Sequence, residues 1–281
     1  MKLYPVETGN FKLDGGAMFG AVPKSLWSKA YEADENNLVN LAMRALLVVT
    51  GGRRILTDNG LGEKLDEKFL SYYFLNGDET LEKSLNKYGF SPDDITDVVM
   101  THLHFDHCGG GVRLENGQPV LTFKNAIYWT SKQQWDNAMN PNAREKSSYL
   151  KLNLLPILES GHLKLINKET EIYPGIKLKL YFGHTIGMVV PLIHHPKQTV
   201  VYVADLIPVA ANIPLSWISA YDIQPLYSLK EKQEFLNEAV ENNYLLFFEH
   251  DIYNECCTLK ATEKGVRMEK ACKLREVLNG I

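Results

Sequence analysis

The sequence predicts an α/β protein that carries its chemistry at the ends of its strands. Two observations predict it: apolar runs of strand length alternate with stretches of helical spacing, and those runs lead repeatedly into His, Asp or Gly-His. Open α/β sheets bind ligands at the carboxyl ends of their strands.

Taken in order, Leu41 to Val49 (LAMRALLVV) and Arg54 to Thr57 read as strands parted by the turn signal Gly51-Gly52, which predicts an early hairpin. Thr80 to Tyr88 sets Leu81, Leu85 and Tyr88 at helical spacing and stops at Gly89. Ser91-Pro92 then supplies the N-cap and first-turn proline of another short helix. Val98 to Met100 is the next strand. Ile176 to Phe182 alternates Ile176, Leu178, Leu180 and Phe182 with Lys177, Lys179 and Tyr181, the pattern of a strand with one buried face. Thr199 to Ala204 and Tyr244 to Phe248 are continuous apolar runs, read as strands covered on both faces. Between them, Ser228-x-x-Glu231 reads as a capping box, with Leu229, Lys232, Leu236 and Val240 along one side of the helix it starts. A last helix is expected near Thr262 to Asn279, closing at Gly280.

No repeat, Pro/Ser-rich linker or low-complexity tract divides the 281 residues, so one domain over 1–281 is expected. A hydrophobic fraction of 45% with 23% charged residues is that of an ordinary globular chain. The formal charge of −4 comes without a long Lys/Arg block, which argues against nucleic acid as a partner. Cys108, Cys256, Cys257 and Cys272 form no CxxC pair, and reduced thiols are expected. No secretory signal or apolar stretch of spanning length stands in the sequence, so the expected setting is cytoplasmic, with no membrane partner.

THLHFDHCGG, from Thr101 to Gly110, sets three histidines and an aspartate within six positions, straight after Val98 to Met100. In an extended exit loop residues two apart point to one side, so His102 and His104 can grip one ion. Asp106 and His107 diverge as neighbours and suit a second, and the run Gly109-Gly110-Gly111 lets the backbone turn sharply behind them. His184, Asp205 and His250 each follow an apolar strand, bringing the metal-competent side chains to seven. A lone histidine ordinarily packs or solvates. An aspartate buried after an apolar strand, however, needs a partner, and next to such a cluster a metal is the natural one. Imidazole and carboxylate hold zinc at about 2.0 to 2.2 Å. The helical HExxH motif does not apply, because no Glu follows these histidines and none lie four apart.

THLHFDH resembles the HxHxDH motif of the metallo-β-lactamase superfamily, and Gly183-His184-Thr185, Ala204-Asp205 and Glu249-His250-Asp251 resemble its later ligand motifs in order and spacing. The resemblance implies a four-layer αββα sandwich and a dinuclear site, with His102, His104 and His184 on one ion, Asp106, His107 and His250 on the other, and Asp205 bridging. Asp58, in LTDNG, matches a position that orients a histidine ligand. The implied cofactors are two divalent ions, zinc first, with iron, manganese or cobalt also accepted by such donors. Asp14 to Trp27 and Ala204 to Trp217 look most like the branch that contains methyl parathion hydrolase and quorum-quenching acyl-homoserine lactonases. The N-terminal loop, about 10–40, and the segment about 128–160 are expected to cover the site. One departure stands out: Pro208 lies three residues after the bridging Asp, where many of those lactonases carry a Tyr that contacts the substrate carbonyl.

The activity so implied is hydrolysis of a small, largely apolar ester or lactone by a hydroxide held between the ions, with Asp106 passing a proton to the leaving alkoxide. A phosphotriesterase of the methyl parathion hydrolase type is the alternative. Met18, Phe19, Trp27, Phe105, Ile213 and Trp217 are the pocket candidates, in segments that also contribute Trp129, Trp135 and Ile218. A di-iron reductase of this fold carries Glu where this chain has His104. A glyoxalase II-like thioesterase wants a helical C-terminal domain, and about thirty residues follow His250. The full ligand set argues against a non-catalytic metal-binding protein. The partner expected is a small molecule, and a homodimer through the N-terminal loop stays open.

Overall fold

The computed structural model describes residues 1–279. They divide into two compact units, one made of 1–10, 43–169 and 187–189, the other of 11–42, 170–186 and the chain from 190 onward. The expected closure at Gly280 lies outside the described residues.

The chain opens with β1 (Lys2–Asp14), two short helices α1 (Gly15–Phe19) and α2 (Lys24–Trp27), and the long strand β2 (Leu38–Thr50). The 10–40 segment expected as a loop therefore holds the end of β1 and two helices. β2 folds back on β3 (Arg53–Thr57) through Gly51 and Gly52, whose φ of 52° and 78° suit a residue without Cβ. α3 (Glu67–Ser71) and α4 (Leu81–Lys87) precede β4 (Asp97–Val99), which leads to α5 (Phe105–Cys108). Thr80 caps α4, its hydroxyl accepting from Lys83 N, and Ser91 with Asp94 forms a capping box on a single 3-10 turn. The ribbon β5 (Val112–Glu115) and β6 (Gln118–Leu121), then β7 (Ile127–Ser131), α6 (Lys132–Met139), α7 (Lys151–Glu159) and β8 (Leu163–Ile166) follow.

One six-stranded sheet runs in the order β1-β2-β3-β4-β7-β8. Ala45 and Leu47 of β2, Leu56 of β3, Val98 and Met100 at β4, and Tyr128 of β7 bury against Leu85, Trp135, Leu154 and Ile157 of the helices. Strands β3 and β4 are parallel with Thr57 opposite Val99, so the chain leaves both at one rim. Asp58 and the Thr101 segment depart side by side.

The second sheet comprises β9 (Thr170–Tyr173), β10 (Ile176–Tyr181), β11 (Met188–His194), β12 (Thr199–Tyr202), β13 (Leu245–Phe247), β14 (Cys256–Lys260) and β15 (Arg267–Cys272), in the order β15-β14-β13-β12-β11-β10-β9. β12 and β13 are parallel, with Tyr202 opposite Phe247 and their rings stacked 5.7 Å apart. Asp205 and His250 each lie three residues beyond that pair and so leave the same rim.

Three expectations need correction. The helix between β12 and β13 is α8 (Pro225–Glu241), which starts before Ser228 with Gln224 at its N-cap. Glu231 completes no capping box, and its carboxylate accepts instead from Phe182 N and Gly183 N. The buried face is Ser228, Glu231, Lys232, Phe235, Leu236 and Ala239, turned from the predicted stripe because Phe235 packs edge-on against Tyr181. That same contact ends the predicted alternation in β10: Tyr181 is buried, whereas Leu180 and Phe182 are half-buried. Lastly, the single helix expected over 262–279 is a hairpin followed by a short helix α9 (Leu274–Asn279). Thr262 and Gly265 close the turn between β14 and β15, and the exposed charges of β15 suit a sheet edge, which charge protects from further pairing.

Candidate metal centre

The seven predicted ligands divide between the units: His102, His104, Asp106 and His107 in the first, and His184, Asp205 and His250 in the second.

In the first unit, Asp58 adopts a left-handed φ of 54° directly after β3. Its backbone N–H donates to Val99 O, and its buried carboxylate accepts from Thr101 N and Thr101 Oγ1, both at 2.7 Å, and from His107 Nδ1 at 3.1 Å. Since the Thr101 hydroxyl donates to Asp58, it accepts from His102 Nδ1 at 3.1 Å. His102 Nε2 then lies 3.0 Å from His104 Nδ1, and the His102 and His107 ring centres are 3.9 Å apart. His104 Nε2 faces the buried carboxylate of Glu145 at 3.6 Å. Glu145 is held by Tyr149 Oη, Asn137 Nδ2 and Asn142 Nδ2, all from the segment after β7. Asp106 and His107 do not diverge, because they sit on the helical turn α5, where Asp106 Oδ2 is 3.7 Å from His107 Nε2.

Gly109, Gly110 and Gly111 serve a different purpose from the sharp turn predicted. None takes a positive φ; a Cβ on Gly109 or Gly110 would stand 2.2 Å from Leu61 O or 2.1 Å from Asn59 O. The run lets the loop after Asp58 lie directly on the histidine turn, where Asn59 N donates to His107 O. The Lys64 ammonium closes the same turn on Gly109 O. Cys108 is fully buried, its Sγ donating to Leu103 O, and burial pushes its thiol up to about 12.

In the second unit, the two oxygens of Asp205 face two imidazoles: Oδ2 lies 3.2 Å from His184 Nε2 and Oδ1 lies 3.1 Å from His250 Nε2. Ala204, just before it, takes a φ of 43° that is costly for a residue with a Cβ and aims the carboxylate. His250 Nδ1 donates to Ala42 O at 2.8 Å and His184 Nδ1 to Asp222 Oδ1 at 2.9 Å. Asp222 is buried and arrives on a loop whose Ile223 and Gln224 N–H groups donate to His184 O and Gly183 O. Neither Asp222 nor Glu145 was predicted. Each is a single acid in a loop with no strand before it, and nothing local in the sequence distinguishes either from a surface acid.

Four of the five histidines thus hydrogen-bond a protein oxygen through Nδ1 and turn Nε2 toward a neighbouring donor, while His104 turns Nδ1 toward His102 and Nε2 toward the Glu145 carboxylate. Imidazole nitrogens 3.0 Å apart, and a carboxylate with one imidazole at each oxygen, are donor chemistry that suits divalent cations.

The pocket candidates also separate. Phe19 stacks on Trp27 at 5.1 Å and meets Trp217 edge-on at 6.0 Å, beside buried Met18 and Ile213 in the second unit. In the first unit, Phe105 packs against Phe69 at 5.1 Å and Tyr73 at 4.8 Å. Trp135 belongs to the core, and Trp129 donates to Asp97 with Lys164 over its ring, so both have structural roles. No helix among the described residues is long and apolar enough to cross a membrane.

A family model described as the metallo-β-lactamase superfamily matches residues 44–250, an interval that contains all seven ligand candidates. An N-acyl homoserine lactonase of Bacillus cereus is 26% identical over 270 residues, covering 90% of this chain and 94% of its own. Among solved structures, a probable metal-dependent hydrolase from Staphylococcus aureus superposes with a TM-score of 0.87 at 32% identity, over 97% of this chain and 98% of that one. A dizinc quorum-quenching lactonase, AidC, solved with a product, gives 0.78 at 25% identity, over 97% of this chain and 95% of its own.

Proposed function

The chain belongs to the metallo-β-lactamase superfamily and has its fold, and from that premise we propose that it is a dinuclear zinc hydrolase of small, largely apolar lactones or esters, of acyl-homoserine lactone type. The single observation that carries the reading is the orientation of the histidines: His107, His102, His184 and His250 are each held at Nδ1 by Asp58, Thr101, Asp222 or Ala42 O, and His104 Nε2 faces Glu145 at 3.6 Å. Supporting oxygens of this kind set ring angle and tautomer before an ion arrives.

In this reading His102, His104 and His184 would hold one ion, Asp106, His107 and His250 the other, and Asp205 would serve both. The absence of thiolate among these donors suits a hydrolytic zinc pair. A pair of divalent cations lowers the pKa of a shared water and polarises the carbonyl under attack. The chain's own groups do the rest. Asp106 keeps a partly exposed carboxylate at the end of the cluster, placed to carry a proton to the leaving alkoxide. Asp58, fully buried, holds His107 in register during that transfer. Trp217, half-buried, offers an apolar surface for an acyl group, with the fully buried Phe19 and Trp27 packed behind it.

Lactonase homologues support an acyl-homoserine lactone as substrate, and AidC supports zinc. A second reading, hydrolysis of an organophosphate triester, is favoured by Pro208, which is buried and offers no hydroxyl three residues after Asp205. Metal analysis combined with a panel of acyl lactones, aryl esters, thioesters and phosphotriesters tests the proposal. Turnover of lactones or esters by protein loaded with two zinc ions is expected. Turnover confined to thioesters, or hydrolysis undiminished in metal-free protein, refutes it.

A further inference from the structure

Lys232 is a fully buried lysine, 1% exposed, in the middle of α8, and among the described residues no carboxylate lies within ion-pair distance of it. Its Nζ donates to Pro214 O at 3.0 Å and to Trp217 O at 2.9 Å. Trp217 N also donates to Pro214 O at 2.9 Å, so residues 214–217 form a closed turn with the ammonium on its two outer carbonyls. A buried ammonium costs several kcal/mol of desolvation, and an apolar side chain of similar size commonly serves stability as well or better. Burial pushes Lys232 down to about 7, with the Asp222 charge working the other way. A role in shaping the turn explains a residue that stability alone does not.

The position of the turn indicates what is shaped. It lies in the segment from Asp205 to Asp222, and both of those carboxylates are anchored on His184, at Nε2 and Nδ1. The preceding residue on α8, Glu231, accepts from Phe182 N and Gly183 N on the strand exit that delivers His184. The segment is therefore fixed at its two ends by one histidine and at its middle by one lysine. Between these anchors Trp217 meets Phe19, and Asn212 Nδ2 donates to Met18 O and Trp217 O, each at 3.4 Å. Ala220 N donates to Ala17 O at 2.8 Å, and a Cβ on Gly20 would stand 2.3 Å from Ile218 O, so α1 lies against the same segment with no slack.

We propose that Lys232 is the specificity-determining positioning residue of this protein, fixing the 214–217 turn and through Trp217 the wall against which an acyl group is measured. The proposal rests on the function proposed above. It assigns Lys232 no contact with substrate or metal.

The test compares zinc-loaded wild type, Lys232→Met, Trp217→Ala and the double variant. Read-outs are kcat and KM over a series of acyl-homoserine lactones of increasing chain length, bound zinc, and hydrogen exchange at the Trp217 amide. Lys232→Met is expected to raise KM about tenfold and flatten its chain-length dependence, with kcat within about threefold and zinc unchanged. Exchange at Trp217 should be faster, and adding Lys232→Met to Trp217→Ala should change KM little further, because both act through one side chain. Should Lys232→Met fail to fold, Lys232→Gln, which keeps a donor without the charge, is measured the same way and expected to lie between. Unchanged KM and exchange in a folded variant overturns the proposal, as does a fall in kcat and zinc at constant KM. If wild type turns over no lactone or ester, the functional reading fails by itself, and the Trp217 amide still decides whether Lys232 holds the turn.

Discussion

Asp222→Asn separates the charge of a supporting residue from its shape. The amide oxygen can still accept from His184 Nδ1, where the carboxylate now accepts at 2.9 Å, so the ring keeps its orientation. Hydrogen bonds to charged groups contribute about 1.5 to 3 kcal/mol against about 0.5 to 1.5 for neutral pairs, so roughly 1 to 1.5 kcal/mol is lost. Burial of Asp222 places the interaction in the upper part of that range. The imidazole also becomes a weaker base at Nε2, the nitrogen facing Asp205. Loss of such a support typically weakens metal binding by about 10 to 100-fold, or roughly 1.4 to 2.7 kcal/mol, and that is the expected range. Competition of the metal-free protein with a chromophoric chelator measures it, and thermal melting in chelator reports the fold separately. Zinc affinity within about twofold of wild type in a folded variant would refute the reasoning, since a second-sphere role predicts a larger loss.

Three further outcomes follow from the same structure. Asp205→Asn, which weakens the carboxylate that faces both His184 and His250, should lower bound metal and hydrolysis together; an active variant with full metal content argues against a bridging role. Gly110→Ala places a methyl 2.1 Å from Asn59 O, a backbone atom that must move, and should cost about 1 to 3 kcal/mol in denaturant unfolding, whereas an unchanged midpoint contradicts the close approach. Lys232 has its folded pKa lowered from 10.5 to about 7, so between those values the unfolded chain holds a proton that the folded chain has released. Its contribution to stability therefore improves as pH rises above about 7, and wild-type stability minus that of Lys232→Met should climb from pH 7 to 9 by up to about 1.4 kcal/mol per pH unit. A flat or falling difference in urea titrations rules this out.

The parts of the molecule that were legible in the sequence are those where chemistry and local spacing coincide. The cluster from His102 to His107 is dense enough to be noticed alone, and His184, Asp205 and His250 are marked by the apolar strands before them. Parallel pairing of β3 with β4 and of β12 with β13 explains why strand-end position is informative, since register delivers Asp58 beside Thr101 and Asp205 beside His250. What stayed hidden acts over long sequence distances. Asp222 meets His184 across 38 residues and Glu145 meets His104 across 41, and neither has a periodic or capping signal. Glu231 imitates a capping box because its spacing from Ser228 fits one, while tertiary contact with Phe182 and Gly183 decides its role. The stretch around Arg267 to Cys272 looks helical by composition, yet pairing with β14 overrides that propensity.

Anomalous diffraction at the zinc edge from crystals of the purified protein tests the central claim most directly. Two peaks per chain are predicted, about 3.5 to 4 Å apart, with Asp205 between them, His102, His104 and His184 around one, and Asp106, His107 and His250 around the other. A single peak, or peaks distant from these residues in metal-replete protein, would contradict a dinuclear centre built by this chain.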